Sequence, residues 1–364
     1  MISPSHRNAG RAVLLGGAML SCLLVSWGAD SSPAVHLGDS LNDIKAKLGD
    51  PPSLVEAGNN TILIYPSGRI MLKDGRATAI ELGGAPAPRP PTASAAPATP
   101  PPVAGPASEE EHPPDVRFTE RKDGEGVVTI LAESDSNLDF TVSVDFTLNN
   151  MTATRPLPLT VDSAGKKTVE LVQLRRTNPT QAWSYSYSNP HFRRGARRDS
   201  KTNDAFYLLP FTPGESHRVV QGNFGKFSHY TGSENEYAID FACDPGTIVR
   251  AAREGVVTGV RQDFTLGGTD EKFKSMGNYV VIRHDDGTFA EYFHLLHNGV
   301  LVQLGQSVSA GQALAKSGAT GYATGPHLHF AVFQNIDGKD RLTLPVRFQT
   351  SHGVLDTLKE GESY

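Results

Sequence analysis

The sequence predicts a mainly β protein of several domains, with a small α+β module near its amino terminus and a β-rich groove domain at its carboxy terminus. Three observations predict this. Apolar and polar residues alternate with a period of two in many short runs, as in half-buried strands. Gly (36) and Pro (25) are both abundant, which favours short strands and frequent turns. Helical periodicity is nearly absent beyond one short stretch. At 364 residues the chain exceeds one ordinary domain. Its net charge of -5 excludes the basic surface that a nucleic-acid partner requires.

Residues 1–29 have the three parts of an export signal: a basic-leaning start (His6, Arg7, Arg11), an apolar run from Ala12 to Trp27, and small residues at Gly28 and Ala29. The run is short against the roughly 20 apolar residues of a membrane span, so cleavage is expected, with a retained anchor as the alternative. Met19-Leu20-Ser21-Cys22 loosely resembles a bacterial lipoprotein box; the plainer reading of Cys22 is a small apolar residue within the signal. Without the signal Cys243 is the single cysteine, so an internal disulfide is excluded and stability must come from packing or metal.

Residues 33–84 form the small module. Leu41, Ile44 and Leu48 fall at helical spacing, and Gly49-Asp50-Pro51-Pro52 ends the helix. Strands are expected over 61–65, 69–72 and 77–82, with a turn at Asp74-Gly75. The module is similar to short outer-membrane-assembly lipoprotein modules and reads as a spacer or a docking domain for envelope proteins. Residues 85–114, rich in Pro and Ala, cannot bury enough apolar surface to fold and should form an extended linker.

Residues 115–212 read as a β-sandwich. Phe140, Val142, Val144, Phe146 and Leu148 alternate with polar residues, as do Trp183, Tyr185 and Tyr187. A basic cluster follows at Arg193, Arg194, Arg197, Arg198 and Lys201. It reads either as a solvated loop, as most charge runs are, or as a site for an anionic polymer.

Residues 213–350 form the groove domain. A strand over 278–284, a turn at Asp285-Asp286-Gly287 and a return strand over 288–295 make a hairpin. Glycine turns at Gly305 and Gly311 flank Ser307 to Ser309. Thr324-Gly325-Pro326-His327-Leu328-His329-Phe330 carries the chemistry. Two histidines two apart on a strand project from one face, so one can bind a metal while the other reaches the water on it. Six of the twelve histidines lie between His229 and His329. A hydrolytic zinc site needs three protein ligands and an open position, a base, and a donor for the developing oxyanion.

These residues resemble the lysostaphin- and LytM-type zinc endopeptidases, which share the duplicated-hybrid-motif fold. The resemblance is carried, in order, by Tyr237-Ala238-Ile239-Asp240-Phe241 with Pro245 to Ala252, by Glu254-Gly255-Val256-Val257, by Gly277 to Ile282 with Tyr292-Phe293-His294-Leu295, and by Gly318 to Phe330. It implies metal ligation by Asp240 and His329, base and oxyanion-donor roles for His294 and His327, Zn2+ as cofactor, and peptidoglycan peptide bonds as substrate. It also implies a periplasmic or cell-envelope location, either secreted or lipid-anchored. The arginine cluster would then meet an anionic wall polymer. A second reading is a catalytically silent wall binder or amidase activator, and a third is an envelope scaffold acting through the module.

The usual first metal histidine stands four residues before the aspartate, where this chain has Glu236. His229, eleven residues before Asp240, becomes the third ligand if residues 230–236 loop out, since doubling a loop costs only about 0.6 kcal/mol. Zinc chemistry also admits Glu236, and a degenerate or empty site is the third reading. His294 is expected to share a strand face with Tyr292, leaving Phe293 and Leu295 to the core. His284 and His297 are expected at the surface, and His217 and His352 as satisfied polar groups. Asp263 and Asp270 are read as groove wall, and Cys243 as buried and inert.

Overall fold

A computed structural model describes residues 34–65, 67–82, 116–123, 126–135, 138–198 and 202–364. The expected signal, Cys22, the 85–114 linker and Lys201 lie outside the described residues. The described residues of Val35–Tyr364 belong to one compact unit, and their regular elements are nearly all strands. No helix among the described residues is long and apolar enough to cross a membrane.

The one α-helix among the described residues, Leu41–Leu48, is started by a reciprocal Ser40–Asp43 capping box and ended at Gly49, whose N–H donates to the Lys45 carbonyl. Its apolar side seats Ile44 against Leu63, Ile70 and Leu72. The module has one strand more than expected: Ser53–Ala57 precedes Asn60–Tyr65, Gly68–Lys73 and Arg76–Leu82. This extra strand pairs in parallel with Leu266–Gly268 of the groove domain, which pairs in turn with Gly321–Tyr322. Val55 and Ile64 pack on Leu296 and Ala319. The module is therefore docked on the groove domain.

The segment 116–194 forms two sheets around one apolar cluster centred on Ile130, Phe140, Val142, Leu171 and Leu174. Its last strand, Ser184–Arg194, runs beside Phe140–Asn149.

The groove domain is organised on a sheet in the order Val219–Gln221, Ile239–Ala242, His327–Asn335, Phe289–Phe293, Tyr279–Arg283, Gly255–Arg261 and Ser307–Val308. One face is the core, where Phe241, Val280, Ile282, Tyr292, Leu328 and Phe330 interlock. This domain reaches beyond the expected 213–350. Tyr207 and Phe211 are in its core, Phe206–Leu208 pairs with Arg347–Thr350, and Leu358 closes the same cluster.

Candidate metal centre

Period-two alternation puts the chemistry on the face opposite the core. In His327–Asn335, the side chains of Leu328, Phe330 and Val332 enter the core, while His327, His329, Phe333 and Asn335 line the groove. Asp240 stands directly across from His329 on the neighbouring strand, and Phe293 faces His329 from the other side. His329 Nδ1 lies 2.9 Å from Asp240 Oδ1. His229 Nε2 completes the cluster, 3.4 Å from His329 Nδ1 and 3.5 Å from Asp240 Oδ1.

All three side chains are buried, and their donor atoms lie within 4.8 Å of one another. Two imidazoles and a carboxylate form a donor set suited to zinc. Ligands about 2.0–2.1 Å from a tetrahedral ion stand about 3.3–3.4 Å apart, close to the two longer separations here. His229 Nδ1 donates to the Gly222 carbonyl at 3.3 Å, which leaves Nε2 bare and turned to the cluster. The residues present therefore fit such an ion. Glu236 does not join them; its carboxylate accepts from the Gly232 N–H at 2.7 Å, within its own loop.

His294 and His327 stand beside the cluster, with ring centroids 4.4 Å apart. His294 Nδ1 donates to the Thr320 carbonyl at 2.7 Å, and His327 Nδ1 to the Gly325 carbonyl at 2.9 Å. His327 Nε2 is 3.9 Å from Asp240 Oδ2. The expected face of His294 is corrected here. Tyr292 is wholly buried in the core and Phe293 lines the groove, so strict alternation would send His294 inward. Instead His294 has φ +63°, which breaks the strand after Phe293 and turns the imidazole towards the groove.

The electrostatics follow from burial. Burial raises the Asp240 carboxyl, but the His327, His329 and His229 imidazoles outweigh it and hold it well below the ordinary range. Burial lowers His229 to about 4 against the pull of Asp240. Burial, with the His327 and His329 charges, drives His294 far below the usual imidazole value. Neutral imidazoles and an ionised carboxylate are the states that ligate metal.

Other expectations meet mixed outcomes. Cys243 is buried, and its thiol is pushed up to about 12 by burial. His284, expected at the surface, is 1% exposed: it precedes the hairpin turn but folds under it, with Nδ1 donating to the Glu254 carbonyl at 2.7 Å. His297 is half-buried within Leu295–Val300 rather than at a strand end. Sequence reasoning missed the buried Glu291–Arg341 ion pair in the groove. Burial raises Glu291, and Arg341 overrides it and keeps the carboxyl below its ordinary value. Glu291 sits at a groove-facing position of the alternating run, which was the available signal.

The groove, about 1630 Å³, is lined by both the sheet and the sandwich strand His191–Arg194. A trio of side chains able to hold a metal ion, on the floor of an open β-groove with two further imidazoles beside it, has the make-up of a metallopeptidase-type site. Residues 234–341 match Peptidase family M23, so this part of the chain is an M23 peptidase domain. The chain is 32% identical over 171 residues to an uncharacterized metalloprotease of Haemophilus influenzae, covering 47% of this chain and 31% of that one. It is 42% identical over 91 residues to the peptidoglycan DD-endopeptidase ShyA of Vibrio cholerae, covering 25% and 18%. It is 35% identical over 120 residues to the glycyl-glycine endopeptidase ALE-1 of Staphylococcus capitis, covering 33% and 30%. The chain thus spans less than a third of the length of each of these relatives.

Proposed function

We propose that the chain is a zinc-dependent endopeptidase that hydrolyses peptide bonds in the stem peptides or cross-links of peptidoglycan, outside the cytoplasm. The observation that carries this reading is the His229, Asp240 and His329 trio with His294 and His327 beside it, on the floor of a groove wide enough for an extended peptide. The names of ShyA and ALE-1, both endopeptidases, support the substrate class.

His229, Asp240 and His329 would hold the ion. Bound there, zinc supplies a Lewis acid and a water whose pKa falls to about 7. His294 and His327 each have Nδ1 tied to a backbone carbonyl, so each offers Nε2 to the groove. One bare Nε2 takes up the proton of the attacking water, and the other ring, protonated to the imidazolium, donates its Nε2–H to the oxygen of the scissile carbonyl. The Phe293 ring packs edge-to-face on the His294 ring, with centroids 4.9 Å apart, and so holds its orientation.

The test is digestion of purified sacculi by the mature protein, with and without chelator. New peptide amines, lost on chelation and restored by zinc, are expected. Sacculi that remain uncut while retaining bound protein would instead identify a wall binder.

A further inference from the structure

We infer that the end of the groove closed by the β-sandwich is a subsite for a carboxylate of the bound peptide, with Arg193 as its main contact. This inference rests on the endopeptidase reading for its substrate class and deepens it into a specificity.

The geometry is as follows. The floor strand His327–Asn335 runs from the histidines to the place where the sandwich meets the groove domain. There Asn335 Nδ2 donates to the Arg194 carbonyl at 2.8 Å, and the Gly338 N–H donates to Ser143 Oγ at 2.9 Å. A Cβ on Gly338 would stand 2.3 Å from the His191 carbonyl oxygen, so only glycine admits this approach. The seam makes the sandwich strand a wall of the groove. His191, Phe192, Arg193 and Arg194 all line it.

The guanidiniums at this end are not equally paired. Arg341 is committed: it closes on Glu291 and donates through Nη2 to Asn235 Oδ1 at 2.9 Å. Arg193 is not. Its Nε donates to the Lys339 carbonyl at 2.8 Å, and it forms no salt bridge among the described residues. Lys339 is exposed on the same rim. Burial and the Arg341 charge both push the Arg193 guanidinium down from the ordinary arginine range. Two guanidiniums share this half-buried wall; of the carboxylates around them, Glu291 and Glu234 (3.9 Å) are turned to Arg341, and neither they nor Asp340 forms a salt bridge with Arg193, which leaves its fork open to an incoming anion. A carboxylate matches the remaining planar fork of Arg193.

Two other arginines of the basic cluster are engaged, while Arg194 Nη1 is buried without a hydrogen-bond partner. Arg197 pairs with Asp162 at 3.0 Å, and Arg198 Nη1 donates to the Thr202 carbonyl at 3.3 Å. Distance sets the register. Glu291 stands opposite Ala331, and the residue next to Arg193, Arg194, meets Asn335. That is two to six strand residues from His329, roughly 7–20 Å at about 3.3 Å per residue. The carboxylate so held belongs to a residue a few positions from the scissile bond, which is the reach of a cross-linked stem peptide.

The test uses the full chain and two substrates, cross-linked muropeptide dimers with free side-chain carboxylates and the same dimers amidated. The wild type should favour the free acid by about tenfold in kcat/KM, about 1.4 kcal/mol. Arg193→Gln should bring the ratio to within about twofold of one, chiefly through KM. Arg193→Lys should retain part of the preference, and Arg193→Glu should invert it. Bound zinc and melting temperature check that each variant is folded, and Lys339→Gln is a milder second probe expected to narrow the ratio. Equal cleavage of the two dimers by the wild type, or an unchanged tenfold ratio in Arg193→Gln, overturns the inference. A separate arm measures binding of the dimers to the His327→Ala protein at low and high salt. It should show the same preference, weakened by salt. That arm decides the subsite even if sacculi are never cut, so the two readings fail independently.

Discussion

His294 holds one of the less comfortable backbone conformations in the chain, φ +63° in a residue with a Cβ. Left-handed geometry costs a non-glycine residue about 1–2 kcal/mol, and here it is offset by the buried hydrogen bond to Thr320. That twist was not legible from alternation, which assigned Phe293 to the core. His327 and His329 were legible, because a two-residue spacing within a strand fixes a shared face. The assigned roles predict a division among variants. His229→Ala, Asp240→Ala and His329→Ala should lose bound zinc, whereas His294→Ala and His327→Ala should keep it and lose turnover by at least a hundredfold. Glu236→Ala should keep both. Metal analysis of the purified proteins, paired with initial rates, checks each outcome, and equal zinc in all of them contradicts the assignment.

His284 supports a separate prediction about pH. Its Nδ1 is committed to Glu254, its Nε2 is buried without a partner, and burial lowers its pKa to about 4. The unfolded chain therefore binds a proton between about pH 6.5 and pH 4 that the native state refuses. Stability contributed by this group is present above pH 6.5 and falls by about 3 kcal/mol as pH drops through that window. Denaturant titrations should show His284→Asn flattening this slope relative to the wild type.

At the scale of elements, the strand Ser53–Ala57 was missed. It follows Pro51-Pro52, is only five residues long, and has its decisive neighbour more than two hundred positions away. Such a pairing depends on chain topology and leaves no local pattern. The neighbouring Leu266–Gly268 belongs to the connection read as groove wall, and Gly267 lies beside Gly321, next to the Thr320 that holds His294. A Cβ on Gly267 would stand 1.9 Å from the Ala319 carbonyl oxygen. Gly267→Ala should therefore shift this strand, cost about 1–3 kcal/mol, and lower kcat while leaving bound zinc intact. Ile64→Ala, which empties the docking face against Leu296 and Ala319, should destabilise by about 2–5 kcal/mol. Chemical denaturation and rate measurements on both variants check these values, and an undiminished kcat in Gly267→Ala would detach the module from the site.

At the scale of the molecule, regions that read in sequence as separate domains are joined: the sandwich strand lines the groove, and the module packs on Leu296 and Ala319. A metal that binds only the native cluster stabilises by mass action, about 2.7 kcal/mol when its concentration is a hundredfold above Kd. Chelation should thus lower the melting temperature of the wild type and leave that of Asp240→Ala unmoved, as calorimetry of the two proteins with and without chelator would show.

Local order was written in the chain itself. The helix with its capping box, the hairpin around Gly287, the alternation that puts His327 and His329 on one face, and the M23 motifs all depend on residues near one another in sequence. Tertiary structure alone decided which side chains share space across long separations: His229 rather than Glu236 beside Asp240, Arg193 of the sandwich on the groove rim, and the module's extra strand against Leu266–Gly268. Periodicity fixes the face on which a side chain lies. Only the closing of distant strands decides what that face meets.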